Sequence, residues 1–225
     1  MRRALTFFGT CPLLAILLIA GLAATPAEAG LFGSTEVRRA SLTPFTKWTD
    51  MLARDRRADG DQQTAPGPLG RSGACRPDSP IGCARPDWEA IVATLRGGDR
   101  MAQLRAVNAA MNRYRYITDP ENWGVPDYWA TPRQFLRRDG DCEDYAIAKY
   151  MALKTLGFPA AAMRIVIVQD LNLGVPHAVL SVDLDGRELI LDNQIQDVLP
   201  DTAIVHYRPI YSINETAWWL HQPRS

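Results

Sequence analysis

Gly140-Asp141-Cys142-Glu143-Asp144-Tyr145 is the stretch on which the reading of this chain turns. Gly140 and Asp141 open a helix. Asp141 stands at the N-cap, where its side chain is expected to accept from the amide three residues on, and Asp144 holds the capping-box position. Cys142 is then the first helical residue, facing unpaired amides whose partial positive charge favours a thiolate over a thiol. The carboxylates at 141, 143 and 144 act the other way, because like charges raise a thiol pKa. Two things can offset them: an imidazolium from His177, or a divalent cation. Asp141, Glu143 and Asp144 form a cluster of hard oxygen ligands suited to calcium, although the same acids can serve only to cap the helix and complement its dipole.

Downstream, Ala146, Ile147, Ala148, Tyr150, Met151 and Leu153 continue the helix to a C-terminal cap at Gly157, and its small residues predict burial against a sheet. Strands come next. They are expected over 164–169, 177–183, 188–191 and 205–213, with Asp185-Gly186 as the hairpin turn and Trp218-Trp219-Leu220 as a closing helical fragment. A two-residue turn at Asp185-Gly186 sets His177 opposite residue 194 and Asp192 opposite residue 179. The two then lie on adjacent strands about 7–8 Å apart along a diagonal, within side-chain reach.

Upstream the pattern is helical. Phe45, Trp48, Met51 and Leu52 recur at helical spacing within 43–57, Trp88, Ile91, Val92 and Leu95 follow Pro86-Asp87, and Leu104, Val107, Met111 and Tyr114 share a face ending at Tyr116. A loop rich in aromatics (Trp123, Tyr128, Trp129) precedes the helix start at Thr131-Pro132; it either lines a substrate groove or packs internally. Helices followed by antiparallel strands make the fold class α+β, with the cysteine helix packed on the sheet.

The 225 residues carry 25 basic and 25 acidic side chains and are 47% hydrophobic, enough for one sizeable domain with extensions. The charge balance gives no sign of nucleic-acid binding. Residues 1–29 read as a secretory signal peptide: Arg2 and Arg3 precede an apolar run from Leu13 to Ala24, and Ala27-Glu28-Ala29 fits a cleavage site. The apolar run is short of the roughly 20 residues that span a bilayer. Cleavage leaves Cys75, Cys83 and Cys142, an odd number in an oxidising compartment. Cys75 and Cys83 flank a short Pro- and Gly-bearing loop that a disulfide is expected to close, which leaves Cys142 free.

Cys142, His177 and Asp192 supply, in chain order, a nucleophile, a base and a group that orients the base. Asn193 is the reserve partner for the imidazole, and His206 and His221 are rival bases without a partner acid on a hairpin. The Cys142 amide can donate to an oxyanion. The alternative for Asp192-Asn193 is a turn cap at a strand end.

Asp127-Tyr128-Trp129-Ala130-Thr131-Pro132, Gly140 through Tyr150, Pro176-His177-Ala178-Val179-Leu180 and Leu191-Asp192-Asn193 together resemble the bacterial transglutaminase-like cysteine peptidases, which include the periplasmic LapG-type proteases. The resemblance implies a papain-like, transglutaminase-type core over residues 87–225, with a triad of Cys142, His177 and Asp192 and calcium held by Asp141, Glu143 and Asp144. It further implies a periplasmic endopeptidase that clips a large surface adhesin, so dispersing biofilm, under the control of an inner-membrane receptor for cyclic di-GMP. Residues 30–86 are expected to form an N-terminal helix and a flexible Gly/Pro-rich segment that the adhesin proteases are not associated with. The alternatives are acyl transfer to an amine, as in a transglutaminase or amidase, and a calcium-dependent binding module with a vestigial site.

Overall fold

The computed structural model describes residues 30–61 and 87–223. The expected signal peptide and the Cys75–Cys83 disulfide lie outside them. The described strands are β1 (Thr35–Arg39), β2 (Met163–Asp170), β3 (Val175–Leu184), β4 (Arg187–Leu191), β5 (Leu199–Pro200), β6 (Tyr207–Ile213) and β7 (Trp218–Gln222). The helices are α1 (Thr46–Asp61), α2 (Trp88–Thr94), α3 (Arg100–Met111), α4 (Asp119–Asn122), α5 (Pro132–Arg138) and α6 (Cys142–Thr155). The strands form one antiparallel sheet in the order β1-β7-β6-β2-β3-β4-β5. This is the α+β arrangement expected, with α6 laid on the central strands.

Period-two alternation sorts the sheet residues into two cores. Ile165, Leu180, Val182, Leu189, Leu191 and Ile213 pack with α6, α3 and α1, whereas Val166, Val168, Val179 and Ile190 pack on the other face with Leu31, Ile204 and Tyr207. The middles of β2 and β3 are therefore covered on both faces, which explains the unbroken apolar run Ile165-Val166-Ile167-Val168. Each fully buried aliphatic side chain here contributes about 1.5–3 kcal/mol. Along α6, Ala146, Ala148 and Ala152 are buried together with Ile147, Tyr150 and Leu153, so small residues admit the strands closely.

The hairpin register is the one the turn predicts. Leu184 pairs with Arg187 and Leu180 with Leu191, around Asp185 and Gly186 with φ of 55° and 75°. That is the doubly left-handed turn whose twist matches the flanking strands.

Three features depart from the sequence reading. Trp218-Trp219-Leu220 is not helical but part of β7, because two strands flank it: Trp218 pairs with Ile213 on β6 and Arg39 on β1. Its second partner, β1, comes from the far end of the described chain and carries no local signal. The helix expected within 43–57 is not set apart from the core expected over 87–225 either, since Trp48 and Met51 are fully buried in the main core and Trp48 donates to the Asn214 carbonyl at 3.0 Å. Finally, α3 ends at Met111, before the expected Tyr116, and Asp119–Asn122 form a single turn of helix where a loop was expected. Among the described residues no helix is long and apolar enough to cross a membrane.

Candidate active site

The chain enters α6 through a constrained corner. Helix α5 begins with a complete capping box, Thr131 accepting from the Gln134 amide and Gln134 from the Thr131 amide. It ends at Asp139, whose φ of 64° and ψ of −168° put a non-glycine residue where glycine is normally required. Such a residue costs of order 1–3 kcal/mol and persists only where its surroundings hold it. Next, Gly140 accepts from the Ile117 amide at 2.9 Å. A Cβ at Gly140 would lie 2.2 Å from Asp144 Oδ2, so the glycine makes room for that carboxyl.

Asp141 occupies the N-cap position in extended backbone, but its side chain makes no capping bond. This corrects the expected cap. The carboxylate instead turns toward Asp119, and its Oδ2 accepts from the Asp119 amide at 3.3 Å. Cys142 is the first helical residue, half-buried and free of any disulfide.

Strand β4 stops pairing at Leu191, and there Asp192 meets the imidazole of β3. His177 Nε2 lies 2.9 Å from Asp192 Oδ1, with both side chains buried. Two further donors fix the carboxylate: the Gln194 amide at 2.9 Å on Oδ1 and the Tyr207 hydroxyl at 2.6 Å on Oδ2. Burial acts to raise the Asp192 pKa, yet the hydrogen bonds from His177 and Tyr207 and the His177 charge outweigh it and hold the group below its usual range. Nε2 is committed to Asp192, and the other ring nitrogen, Nδ1, has the side-chain nitrogen Nε2 of Gln194 3.3 Å away. The Asp192 backbone carbonyl is itself held by Asn112 Nδ2 of the turn after α3, at 2.8 Å.

Tyr207, Gln194 and Asn112 carry no signal by which the sequence alone could find them. Each acts through a contact made by the tertiary fold. Asn193, the reserve partner, is not needed, because Asp192 faces the ring directly. Of the rival bases, His221 lies between Ser34 and Ser212 at 2.8 and 2.9 Å, and His206 packs at a tilt against Tyr207 with ring centroids 4.4 Å apart.

The Cys142 sulfur lies near β3, close enough to the backbone amide of Ala178, the residue after His177, for that amide to stabilise the thiolate. Its proton points to Glu143 Oε2 at 3.2 Å. Burial pushes the thiol pKa well up, the Glu143 and Asp141 charges push it further, and the Ala178 amide opposes them. Without a base or a neutralising charge this cysteine stays protonated at neutral pH.

The acids close to it are crowded. Oxygens of Asp119, Asp141 and Glu143 all lie within 4.8 Å of one another. Burial and mutual repulsion push Asp141 up to about 8 and Asp119 up to about 6. One oxygen on each, Asp119 Oδ1 and Asp141 Oδ1, is buried with no hydrogen-bond partner among the described residues. Three carboxylates this close together, two of them with an orphaned buried oxygen, offer what a hard cation requires, so these residues fit one.

The set differs from the sequence expectation. Asp119, not foreseen because it is 22 residues away in the chain, stands where Asp144 was expected. Asp144 is fully buried beside Gly140, and its Oδ1 accepts from the Ala130 amide at 2.7 Å. That bond fixes the aromatic loop to the start of α6, and Trp129 in the loop is buried against Trp48, which favours the packing role for it.

Residues 62–221 match the family model of the bacterial transglutaminase-like cysteine proteinases. A structure of Legionella pneumophila LapG superposes with a TM-score of 0.54 at 35% identity, covering 59% of this chain and 75% of that one. Its calcium-bound form gives the same values. An EGTA-treated form gives a TM-score of 0.55 at 35% identity over 61% and 76% of the two chains. No curated protein sequence matches.

Proposed function

Since the chain belongs to the bacterial transglutaminase-like cysteine proteinases and is a cysteine peptidase, we propose that it is a LapG-type, calcium-assisted endopeptidase using Cys142, His177 and Asp192 as its triad. The observation that carries this reading is the His177–Asp192 pair at 2.9 Å, with His177 on the strand whose Ala178 amide lies near the Cys142 sulfur.

In this mechanism His177 Nδ1 takes the thiol proton and the sulfur attacks the scissile carbonyl. The Cys142 amide, at the start of α6, donates to the oxyanion. Collapse of the tetrahedral intermediate breaks the C–N bond, and His177 returns the proton to the leaving amine. Water, deprotonated by the same imidazole, then releases the acyl group from the sulfur. Asp192 accepts from Nε2–H throughout, and Tyr207 and Gln194 keep it in place.

Asp119, Asp141 and Glu143 are the residues that would hold calcium. The ion would supply positive charge beside the thiol and tie Asp119 to the start of α6. Support comes from the two orphaned oxygens and from the calcium-bound form of the LapG relative.

The cluster also sets a pH dependence with a definite sign. Asp141 and Asp119 have folded pKa values near 8 and 6, above the ordinary ~3.9. The cation-free folded protein therefore binds more protons than the unfolded chain over this window, and its stability falls as pH rises from about 4 to 8. A bound cation removes that loss. Chelated protein is expected to melt at lower temperature at pH 8 than at pH 5, and calcium to raise Tm more at pH 8. At a hundredfold excess over Kd the stabilisation is about 2.7 kcal/mol, which corresponds to several degrees for a domain of this size. A calcium effect equal at both pH values, or none, would remove the ion from this cluster.

For the biological substrate we extend the likeness to LapG: a large surface adhesin cut in the periplasm, with a cyclic di-GMP receptor as the restraining partner. The test is a comparison of protein N-termini at the cell surface and in culture fluid, between cells carrying the wild-type chain and cells carrying Cys142→Ala. The wild type is expected to create a new N-terminus within a large surface protein. Identical sets would refute a secreted or surface substrate.

A further inference from the structure

Next to His177 the surface changes character. Leu171 is 54% exposed, Leu173 61%, Val175 46% and Val205 87%. Two adjoining loops and the first residue of β3 carry these four side chains. The β2–β3 turn holds the first two, with Val175 beginning β3, and the segment leading into β6 holds Val205. The Leu171 amide donates to the His206 carbonyl at 2.9 Å, joining the loops.

The patch is continuous with the catalytic pair on both sides. Val175 and His177 are two residues apart on β3 and project from the same face of the strand. On the other side, Tyr207 packs against His206 and has its ring centroid 5.6 Å from that of His177. Strand β2 links the two, because Asp170 pairs with Val175 on β3 and with Tyr207 on β6.

The turn is also preformed. The buried Asp170 accepts from the Asn172 and Leu173 amides at 2.8 and 3.0 Å, and its carbonyl accepts from the Gly174 amide at 2.9 Å. Two leucines are thus held out to solvent by a turn with its own internal bonding. A contiguous apolar patch on a rigid support marks a binding surface, and its ordering entropy is already spent.

We propose that Leu171, Leu173, Val175 and Val205 form a ledge that binds an apolar side chain of the polypeptide substrate on the C-terminal side of the scissile bond. This rests on the peptidase reading and adds specificity to it. The chemistry fixes the side. As the sulfur–carbon bond forms and the C–N bond breaks, the departing nitrogen takes its proton from the imidazole, so the segment that begins with that nitrogen passes over His177. The ledge lies beyond His177 along β3 and β6, and it meets that segment rather than the acyl half. It therefore acts on acylation and has no part in hydrolysis of the acyl-enzyme, from which the leaving segment has gone.

The test digests a peptide library with the full chain in calcium-containing buffer and maps cut sites by mass spectrometry, with Cys142→Ala as the blank. At about 3.3 Å per extended residue, wild-type cuts should be enriched in Leu, Ile, Val, Phe or Met within the first ~5 residues after the cut. The double variant Leu171→Ser/Leu173→Ser and the single variant Val205→Ser should each flatten that enrichment. Each should lower kcat/KM on a peptide from the enriched set about tenfold. Alkylation of Cys142 by iodoacetamide should keep its wild-type rate in both, showing the nucleophile intact. A library cut with no preference among residues C-terminal to the bond would overturn the ledge while leaving the peptidase standing. Enrichment that survives both variants, or that lies only before the cut, would overturn it equally.

Discussion

Cys142→Ala and His177→Ala are each expected to lower kcat/KM for peptide cleavage by about 10⁵- to 10⁶-fold, and the double variant to fall no further. The reason is that neither group does chemistry without the other. Burial and the Glu143 and Asp141 charges hold the thiol well above its ordinary pKa, so a sulfur without the imidazole remains protonated. An imidazole without the sulfur has no acyl-enzyme to form. Binding and oxyanion stabilisation survive in either single variant, and the double variant retains the same. Losses that multiply would mean that the two residues act independently, and the triad assignment would fail. Folding should be little affected by Cys142→Ala, because the side chain is only half-buried and the change removes a single sulfur atom. A melting curve on the same preparation separates the two effects.

Where the sequence is legible, the signal is local. Asp185-Gly186 dictates a turn geometry, the turn dictates a register, and the register places His177 near Asp192 without coordinates. The start of α6 is equally readable, since a glycine and an acid before a run of small and apolar residues mark a helix start. The hidden parts depend on contacts between distant segments. Asp119 joins Asp141 and Glu143 only because the Asp119 amide meets the Asp141 carboxylate across 22 positions of chain. Strand β7 reads as helical because its pairing with β1 brings together Thr35 and Gln222, a contact no window of sequence contains. Asp144 enters the expected ligand cluster on residue type and proximity alone. Its direction is decided by the missing Cβ at Gly140 and the Ala130 amide, neither of which advertises an acceptor.

Asp192→Asn should lower kcat/KM by about 10³- to 10⁴-fold, a smaller loss than removing the base but one with a distinct signature. The carboxylate can only accept from Nε2–H, which leaves Nδ1 bare for the thiol proton. An asparagine that offers its amide to Nε2 reverses the tautomer, places the proton on Nδ1 and blocks transfer from the sulfur. Iodoacetamide should then alkylate Cys142 more slowly in the variant at neutral pH, since thiolate formation depends on that nitrogen; an unchanged alkylation rate would detach Asp192 from the nucleophile's activation. Tyr207→Phe gives a calibrating comparison. It removes one of the donors to Asp192 but leaves the His177 and Gln194 bonds, so its loss should be nearer tenfold. Stability responds as well, through Lys149 on the buried side of α6. Its ammonium has no hydrogen-bond partner among the described residues, burial pushes its pKa down to about 7, and the Asp192 charge opposes that fall. Neutralising Asp192 withdraws the opposition, so Lys149 loses its proton more readily. Asp192→Asn should accordingly lower Tm, whereas Cys142→Ala should not. On this reading the residue that orients the imidazole also balances a buried cation on the same helix as Cys142, and a variant that keeps the shape of the side chain while removing its charge reports on both at once, through kcat/KM and through Tm.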